Sequence, residues 1–361
     1  MPAPIPAWPG EFVSLGGGGE VFVRTAPVPP EAGPGEPALC VHGFGGSSTN
    51  WTDLMYLLSG AAAADGADQD PVPGPVLSAD AIDLPGFGYS PPAPDSTYTV
   101  NGQAATVAAL IEGRGRGPVH LIGNSLGGAV CTRVAATRPD LVTTLTLVAP
   151  AMPDLWPRPT LARFPALCVP GVGGWLLSRV GKMPPRSRVE LSIATIYYDG
   201  TCVHPDRIAA DVAEIERRDQ LGYGDAVLLR CARSIVAEYL RRGTTSLWRD
   251  AARVSAPSLI IYGSHDRIVD PRMAGRAARA FRGGRVVVLP RTGHVAQMER
   301  PAAVAAEFRR LLTSPTNAFD GYGESSKTIS IHNKIHDNAV PAVSRKVSAP
   351  PGNDAPASPV V

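Results

Sequence analysis

Aromatic side chains are scarce in this sequence: Phe, Trp and Tyr make up 6% of 361 residues, and charged residues only 18%. The formal net charge of +2 creates no field of the strength that nucleic-acid binding draws on. No run of about eighteen uninterrupted apolar residues occurs, so no membrane-spanning segment is expected. Five cysteines (Cys40, Cys131, Cys168, Cys202 and Cys231) are odd in number and show neither C-x-x-C nor zinc spacing. They point to free thiols in a reducing compartment, with Cys40 in an apolar strand and Cys131 on a helix face acting as small hydrophobes. The opening MPAPIPAWPGEF lacks the basic and apolar regions of a secretory signal, and the expected location is cytoplasmic.

What is present suits a globular enzyme-sized chain. Hydrophobic residues reach 44%, and 38 Gly with 37 Pro imply many loops without the period of collagen. The length accommodates one large α/β domain with an insertion, or two ordinary domains.

Short apolar runs alternate with helical periodicity along the first 150 residues. A hairpin is expected over Glu11 to Leu15 and Glu20 to Thr25, followed by buried strands at Ala38 to Val41, Val76 to Leu84, Val119 to Ile122 and Leu141 to Val148. Helices are expected at Asn50 to Leu58 and Thr99 to Ile111. Alternation of this kind predicts an α/β fold with a mostly parallel sheet covered by helices on both faces. Between Ala151 and Arg249 the alternation stops. Ile208, Val212 and Ile215 share one helical face; Leu228, Cys231, Ile235 and Tyr239 share another, with Arg230, Arg233 and Glu238 turned elsewhere. The expected organisation is therefore a core over 1–150, a helical cap over 151–249 and the rest of the core over 250–314. In that second part of the core, strands are expected at Ser258 to Tyr262 and Val286 to Leu289, and a helix at Pro301 to Leu312. Residues 315–361 lose periodicity and are expected to be disordered.

The chemistry concentrates at Pro118 to Val130, where an apolar strand meets Gly123-Asn124-Ser125-Leu126-Gly127 and small helix-forming residues follow. This is a G-x-S-x-G nucleophile elbow in its strand, sharp turn and helix context, which lifts Oγ of Ser125 clear of a strand end. A serine hydroxyl needs a base and a group to orient that base. In elbow hydrolases the acid and then the histidine follow the serine along the chain. His294 lies after the Val286 to Leu289 strand with one helix still to come, whereas His120 begins the elbow strand and His332 and His336 lie in the tail. Asp266, after the strand ending at Tyr262, is the candidate acid. Asp270 reads as a helix cap before Pro271, Asp154 is a third candidate, and His265 is a loop neighbour.

Five motifs in this order resemble the capped α/β-hydrolase-fold family that includes bacterial esterases, lipases and haloperoxidase-like enzymes. His42-Gly43-Phe44-Gly45-Gly46 resembles its oxyanion loop, Asp83 to Ser90 its D-x-x-G-x-G-x-S turn and Gly123 to Gly127 its elbow. Gly263 to Val269 resembles its acid loop, and Gly293-His294 its histidine loop. The resemblance covers about residues 10 to 313. It implies acyl transfer to water: Ser125 as nucleophile, His294 as base, Asp266 holding the imidazole, and the N–H groups of Phe44 and Leu126 as the oxyanion hole.

It further implies no metal or organic cofactor, and a small-molecule ester of small to medium, largely apolar acyl chain as substrate. The alternatives are carbon–carbon bond hydrolysis, prompted by Asn124 before the serine, a haloperoxidase-like perhydrolase, and a small-molecule receptor that keeps the triad. Serine at position 125 argues against the carboxylate-nucleophile dehalogenases and epoxide hydrolases. Trp156, Trp175, Tyr197, Tyr198 and Tyr223 are expected to line a pocket or fill the cap's own core. Arg217-Arg218 and Arg241-Arg242 read as solvated helix faces.

Overall fold

In the computed structural model the strands are β1 (Gly10–Ser14), β2 (Glu20–Thr25), β3 (Glu36–Val41), β4 (Leu77–Ile82), β5 (Val119–Asn124), β6 (Val142–Val148), β7 (Ser258–Gly263), β8 (Arg285–Leu289) and β9 (Ile329–Ile331). The structure describes residues 8–16, 19–64, 74–95, 97–154, 158, 164–241, 243–313 and 329–331. Trp156, Arg242, His332, His336 and most of the tail lie outside them. The strands form one sheet in the order β1-β2-β4-β3-β5-β6-β7-β8-β9. β1, β2 and β4 pair antiparallel, and every other pairing is parallel. Within the expected disordered tail, Ile329–Ile331 adds a short parallel edge strand to β8.

Parallel pairing requires crossovers, and helices supply them. α1 (Thr52–Leu58) and α2 (Ala61–Ala64) connect β3 to β4, α3 (Val100–Arg114) leads to β5, and α4 (Leu126–Thr137) to β6. Between β6 and β7 come α5 (Phe164–Cys168), α6 (Val172–Gly181), α7 (Pro185–Ile196), α8 (Pro205–Asp219), α9 (Gly224–Leu240) and α10 (Leu247–Ala251), the helical cap. α11 (Met273–Ala280) precedes β8, and α12 (Ala296–Glu299) and α13 (Pro301–Thr313) follow it. The expected helix from Asn50 begins as a 3-10 turn, Ser48–Trp51, before α1.

Successive residues of a strand point to opposite faces, and the core divides accordingly. Ile260 and Tyr262 of β7 pack with the α3, α4 and α11 side; Leu259 and Ile261 pack with α1 and α13 through Leu54, Val304 and Phe308. His120, on β5, is buried against Thr144 and Glu36 at 2.9 and 2.7 Å with its ring edge on Phe308, a packed residue as expected.

Strand order reverses beside β3: the chain steps outward to β4, then returns to the other side with β5. β3 and β5 pair in parallel and both end here, and open α/β sheets bind ligands beyond the carboxyl ends of their strands where the order reverses.

The cap is tied to the sheet by a buried charge cluster. Arg133 of α4 bonds Asp250 of α10 and Asn101 of α3, and approaches Glu238 of α9 and the Thr245 carbonyl at 3.3 Å each. Glu238 is thus turned off the apolar face of α9, as expected, but into this cluster and not into water. Burial pushes the carboxyls of Glu238 and Asp250 up, against the downward pull of Arg133. Removing one partner of such a cluster strands the others. Arg133→Met is expected to lower the urea unfolding free energy by about 3 kcal/mol, and adding Glu238→Gln to restore part of it, as read from a double-mutant cycle.

Candidate active site

From Val119 to Ala135 every residue is buried except Ser125. Its backbone sits at φ 52°, ψ −115°, a conformation that costs a non-glycine residue on the order of 1–3 kcal/mol and persists where the surroundings overdetermine it. Three bonds do so: Ser125 N donates to the Val148 carbonyl at 3.0 Å, while Ala151 N and Ala129 N donate to the Ser125 carbonyl at 2.9 and 3.1 Å. A Cβ at Gly127 would stand 2.2 Å from the Val41 carbonyl oxygen, so only glycine lets α4 begin against the end of β3.

The loop after β3 lies against this turn. A Cβ on Gly43 would sit 3.1 Å from Cβ of Ser125, which measures how close the two loops run. His42, fully buried, accepts from Leu84 N at Nε2 (3.0 Å) and therefore carries its proton on Nδ1, which donates to the Gly43 carbonyl at 2.7 Å. Burial pushes its pKa down, partly offset by Asp83 and that carbonyl, so His42 is a neutral strut. Phe44 is half-buried against the core, and Leu126 opens α4, where the first N–H groups have no partner within the helix.

The Asp83 to Ser90 segment, legible in the sequence only as a turn, braces the same loop. The buried Asp83 carboxylate accepts from Ser48 N at 2.6 Å and from Tyr89 N at 2.8 Å, and Ser90 Oγ donates to the Asp83 carbonyl at 2.6 Å. A carboxylate at the end of an apolar strand was the available signal, since a charge there demands donors.

After β7, Asp266 is 1% exposed; its Oδ1 accepts from Ile268 N at 2.7 Å and Val269 N at 3.0 Å, and its Oδ2 lies 2.8 Å from Nδ1 of His294. His294 is 5% exposed on the loop after β8. Asn124 connects this pair to the turn: its Nδ2 donates to the Val148 carbonyl at 3.0 Å and to the His294 carbonyl at 3.2 Å. The structure thus brings the Ser125, His294 and Asp266 loops together at one end of the sheet. Asp270 is occupied elsewhere: its Oδ1 accepts from Arg272 N at 2.9 Å, and Arg158 and Arg272 pair with it at 3.0 and 2.8 Å. Burial works to raise its pKa, and the Arg272 bonds and both arginine charges outweigh that and hold it low. Asp154 projects its field onto Tyr239, Arg272 and Arg276. His265, an exposed neighbour as expected, bonds Ser264 Oγ at 2.8 Å and tilts against Tyr198 at 4.4 Å.

The cap closes on the histidine loop through its backbone. His294 N donates to the Ile196 carbonyl at 2.7 Å. Glu299, a residue that local motif reading passes over, accepts from Gly293 N at 2.7 Å, Tyr198 N at 3.1 Å and Asp199 N at 3.2 Å. Three corrections concern the cap's side chains. Arg217 is no solvated charge: it bonds the Gly88 carbonyl, pairs with Glu214 at 2.8 Å and lies 4.4 Å over the Tyr89 ring. Arg218 is sufficiently buried that desolvation lowers its pKa. Trp175, expected in a pocket or a core, is 57% exposed, whereas Tyr197 is buried and Tyr223 half-buried against the core. Arg241 pairs with Glu238 at 3.4 Å. Among the described residues no cluster of three or more His, Cys, Asp or Glu is placed to hold a metal, and no helix is long and apolar enough to cross a membrane.

A sheet of this order, a strained serine at the switch point and a buried His–Asp pair on the last two loops define the α/β-hydrolase class. The model of the alpha/beta hydrolase family matches residues 38–307, and the chain belongs to that family. It is 27% identical over 272 residues to a pimeloyl-acyl-carrier-protein methyl ester esterase of Neisseria meningitidis, covering 74% of this chain and 90% of that one. It is 23% identical over 276 residues to lipase 3 of a Moraxella species, 76% of each chain. Lipase LipV of Mycobacterium tuberculosis is 35% identical over 122 residues, and there the match spans 33% of this chain and 40% of the lipase. Among solved structures, Cfl2 from Burkholderia cenocepacia superposes with a TM-score of 0.68 at 21% identity, over 85% of this chain and 97% of that one. A meta-cleavage product hydrolase from Pseudomonas fluorescens gives 0.63 at 17%, over 84% and 97%. These two likenesses describe the fold.

Glu299 offers a test of how the cap is held. Bonds from amides to a charged acceptor contribute about 1.5–3 kcal/mol each. Glu299→Ala is expected to raise hydrogen exchange at Gly293, Tyr198 and Asp199 by about tenfold or more while leaving β5 and β6 protected, as measured by mass spectrometry of peptic fragments.

Proposed function

We propose that this chain is a serine hydrolase that cleaves carboxylic esters of small to medium, largely apolar acyl groups through an acyl-enzyme. One observation carries the proposal. Ser125, the single partly exposed residue in a buried stretch, stands at the sheet's switch point, and Asn124 beside it is bonded to the loop whose His294 bears on Asp266 at 2.8 Å. The names of the esterase and lipase relatives agree with an ester substrate.

In the proposed cycle Oγ of Ser125 attacks the ester carbonyl carbon as its proton passes to Nε2 of His294. Asp266 Oδ2, bonded to Nδ1–H, fixes the tautomer and stabilises the imidazolium. Oδ1 accepts from Ile268 N and Val269 N, which holds the carboxylate in orientation. The tetrahedral oxyanion sits against N–H of Phe44 and Leu126, each such donor contributing on the order of 3 kcal/mol to the barrier reduction. Collapse expels the alkoxide, which takes the proton from His294 and leaves as alcohol. Water then attacks the acyl-Ser125, its proton passing to His294, and collapse returns that proton to Oγ and releases the acid. No step draws on a metal or organic cofactor.

Asn124, which suggested carbon–carbon hydrolysis, spends its amide on two backbone carbonyls and so braces the fold.

Ser125→Ala is expected to reduce kcat/KM for p-nitrophenyl butyrate by at least about ten-thousandfold with an unchanged melting temperature, and Asp266→Asn by on the order of a thousandfold or more. A binding protein would instead show calorimetric saturation without p-nitrophenol release. Activity of Ser125→Ala at the wild-type level would end the proposal.

A further inference from the structure

Helix α6 exposes the stripe that a globular helix ordinarily buries. Val172, Trp175, Leu176, Arg179 and Val180 fall at i, i+3, i+4, i+7 and i+8, with Val169 three residues upstream. Trp175 is 57% exposed, Val169 47%, Val172 42% and Val180 40%. Along one edge, beside Val180, the helix lies on the cap through buried Gly173 and half-buried Leu176 and Leu177. Single exposed aliphatics are ordinary, but a Trp amid three exposed valines is a contiguous apolar surface.

The stretch of sequence that carries this surface holds charge of one sign. Between Asp154 and Glu190 the sequence holds Arg158, Arg163, Arg179, Lys182, Arg186 and Arg188 and no carboxylate. Arg158, Arg186 and Arg188 are engaged with Asp270, Glu190 and Asp219. Arg179 and Lys182 are exposed and, among the described residues, have no carboxylate partner; Arg179 lies 5.4 Å over the Trp175 ring.

We propose that α6 docks this chain on an anionic phospholipid surface, with Trp175, Val172, Val169 and Val180 entering the interfacial layer and Arg179 and Lys182 meeting lipid phosphates. An exposed helix edge of Trp and aliphatics, with Arg179 over the Trp ring and Lys182 at the helix's C-terminal end, has the chemistry of an in-plane interfacial helix. Trp favours the headgroup level, and long basic side chains reach back to phosphates while their stems stay apolar. A second copy of the chain is the weaker occupant, because an isologous contact would bring Arg179 and Lys182 of both copies together. The inference stands on this patch and not on the ester chemistry, so it can fail or hold independently of the function proposed above.

The test is sedimentation of the full chain with vesicles of phosphatidylcholine alone or with about one third phosphatidylglycerol, with tryptophan emission recorded in parallel. Binding to the anionic vesicles with a blue-shifted emission, weaker binding to the neutral ones, and release at high salt are expected. Trp175→Asp abolishes that binding and blue shift, and Arg179→Gln with Lys182→Gln weakens partitioning about thirtyfold. Absence of binding to the anionic vesicles, or variants that bind as the wild type does, overturns the proposal. So does a wild-type dimer in sedimentation velocity that Trp175→Asp converts to monomer.

Discussion

The close approach of two loops at the sheet's switch point is the constraint on which the rest of this structure depends. The first turn of α4 rests on the carbonyls that end β3, and the loop that continues β3 must pass the strained turn at Ser125. A side chain at position 127 would meet backbone at 2.2 Å, and one at position 43 would press on Asn124 and Ser125. Strain of that kind survives only when the sheet and α4 hold both flanks, and the buried residues from Val119 to Ala135 provide that hold. Ser125, partly exposed amid buried neighbours, is the outcome of this compression.

Around that point the molecule uses buried polar groups as fasteners. The His42 imidazole, the Asp83 carboxylate and the Asn124 amide each bond two segments that are distant in sequence. Arg133 and Glu299 do the same for the cap, one at its far end through Glu238 and Asp250, the other beside His294. Buried charges cost desolvation, and Arg133 with Glu238 and Asp250 recovers it through mutual pairing. The cap is thereby bonded directly to the loop that carries the histidine, so its position and the imidazole's are mechanically connected.

Much of the fold was legible because its rules are local. Short apolar strands, glycine at fixed offsets around Ser125 and turn residues after each strand follow from backbone geometry within a few residues. Asp266 was legible in the sequence as a preference over Asp270; in the structure Asp266 lies beside His294, while arginines engage Asp270. What stayed hidden is long-range. Arg133 meets Glu238 and Asp250 across 105 and 117 residues, and Glu299 meets Tyr198 across 101. Trp175 shows the other limit: periodicity tells which residues share a helix face, and nothing local tells whether protein or solvent covers it.

The central claim is that Ser125 is an activated nucleophile poised by His294. Its most direct test is reaction of the full chain with a fluorophosphonate probe, followed by peptide mapping of the adduct. A single stoichiometric adduct on Oγ of Ser125 is expected, with labelling lost in His294→Ala. An intact protein that takes no label, or takes it on another residue, would contradict it.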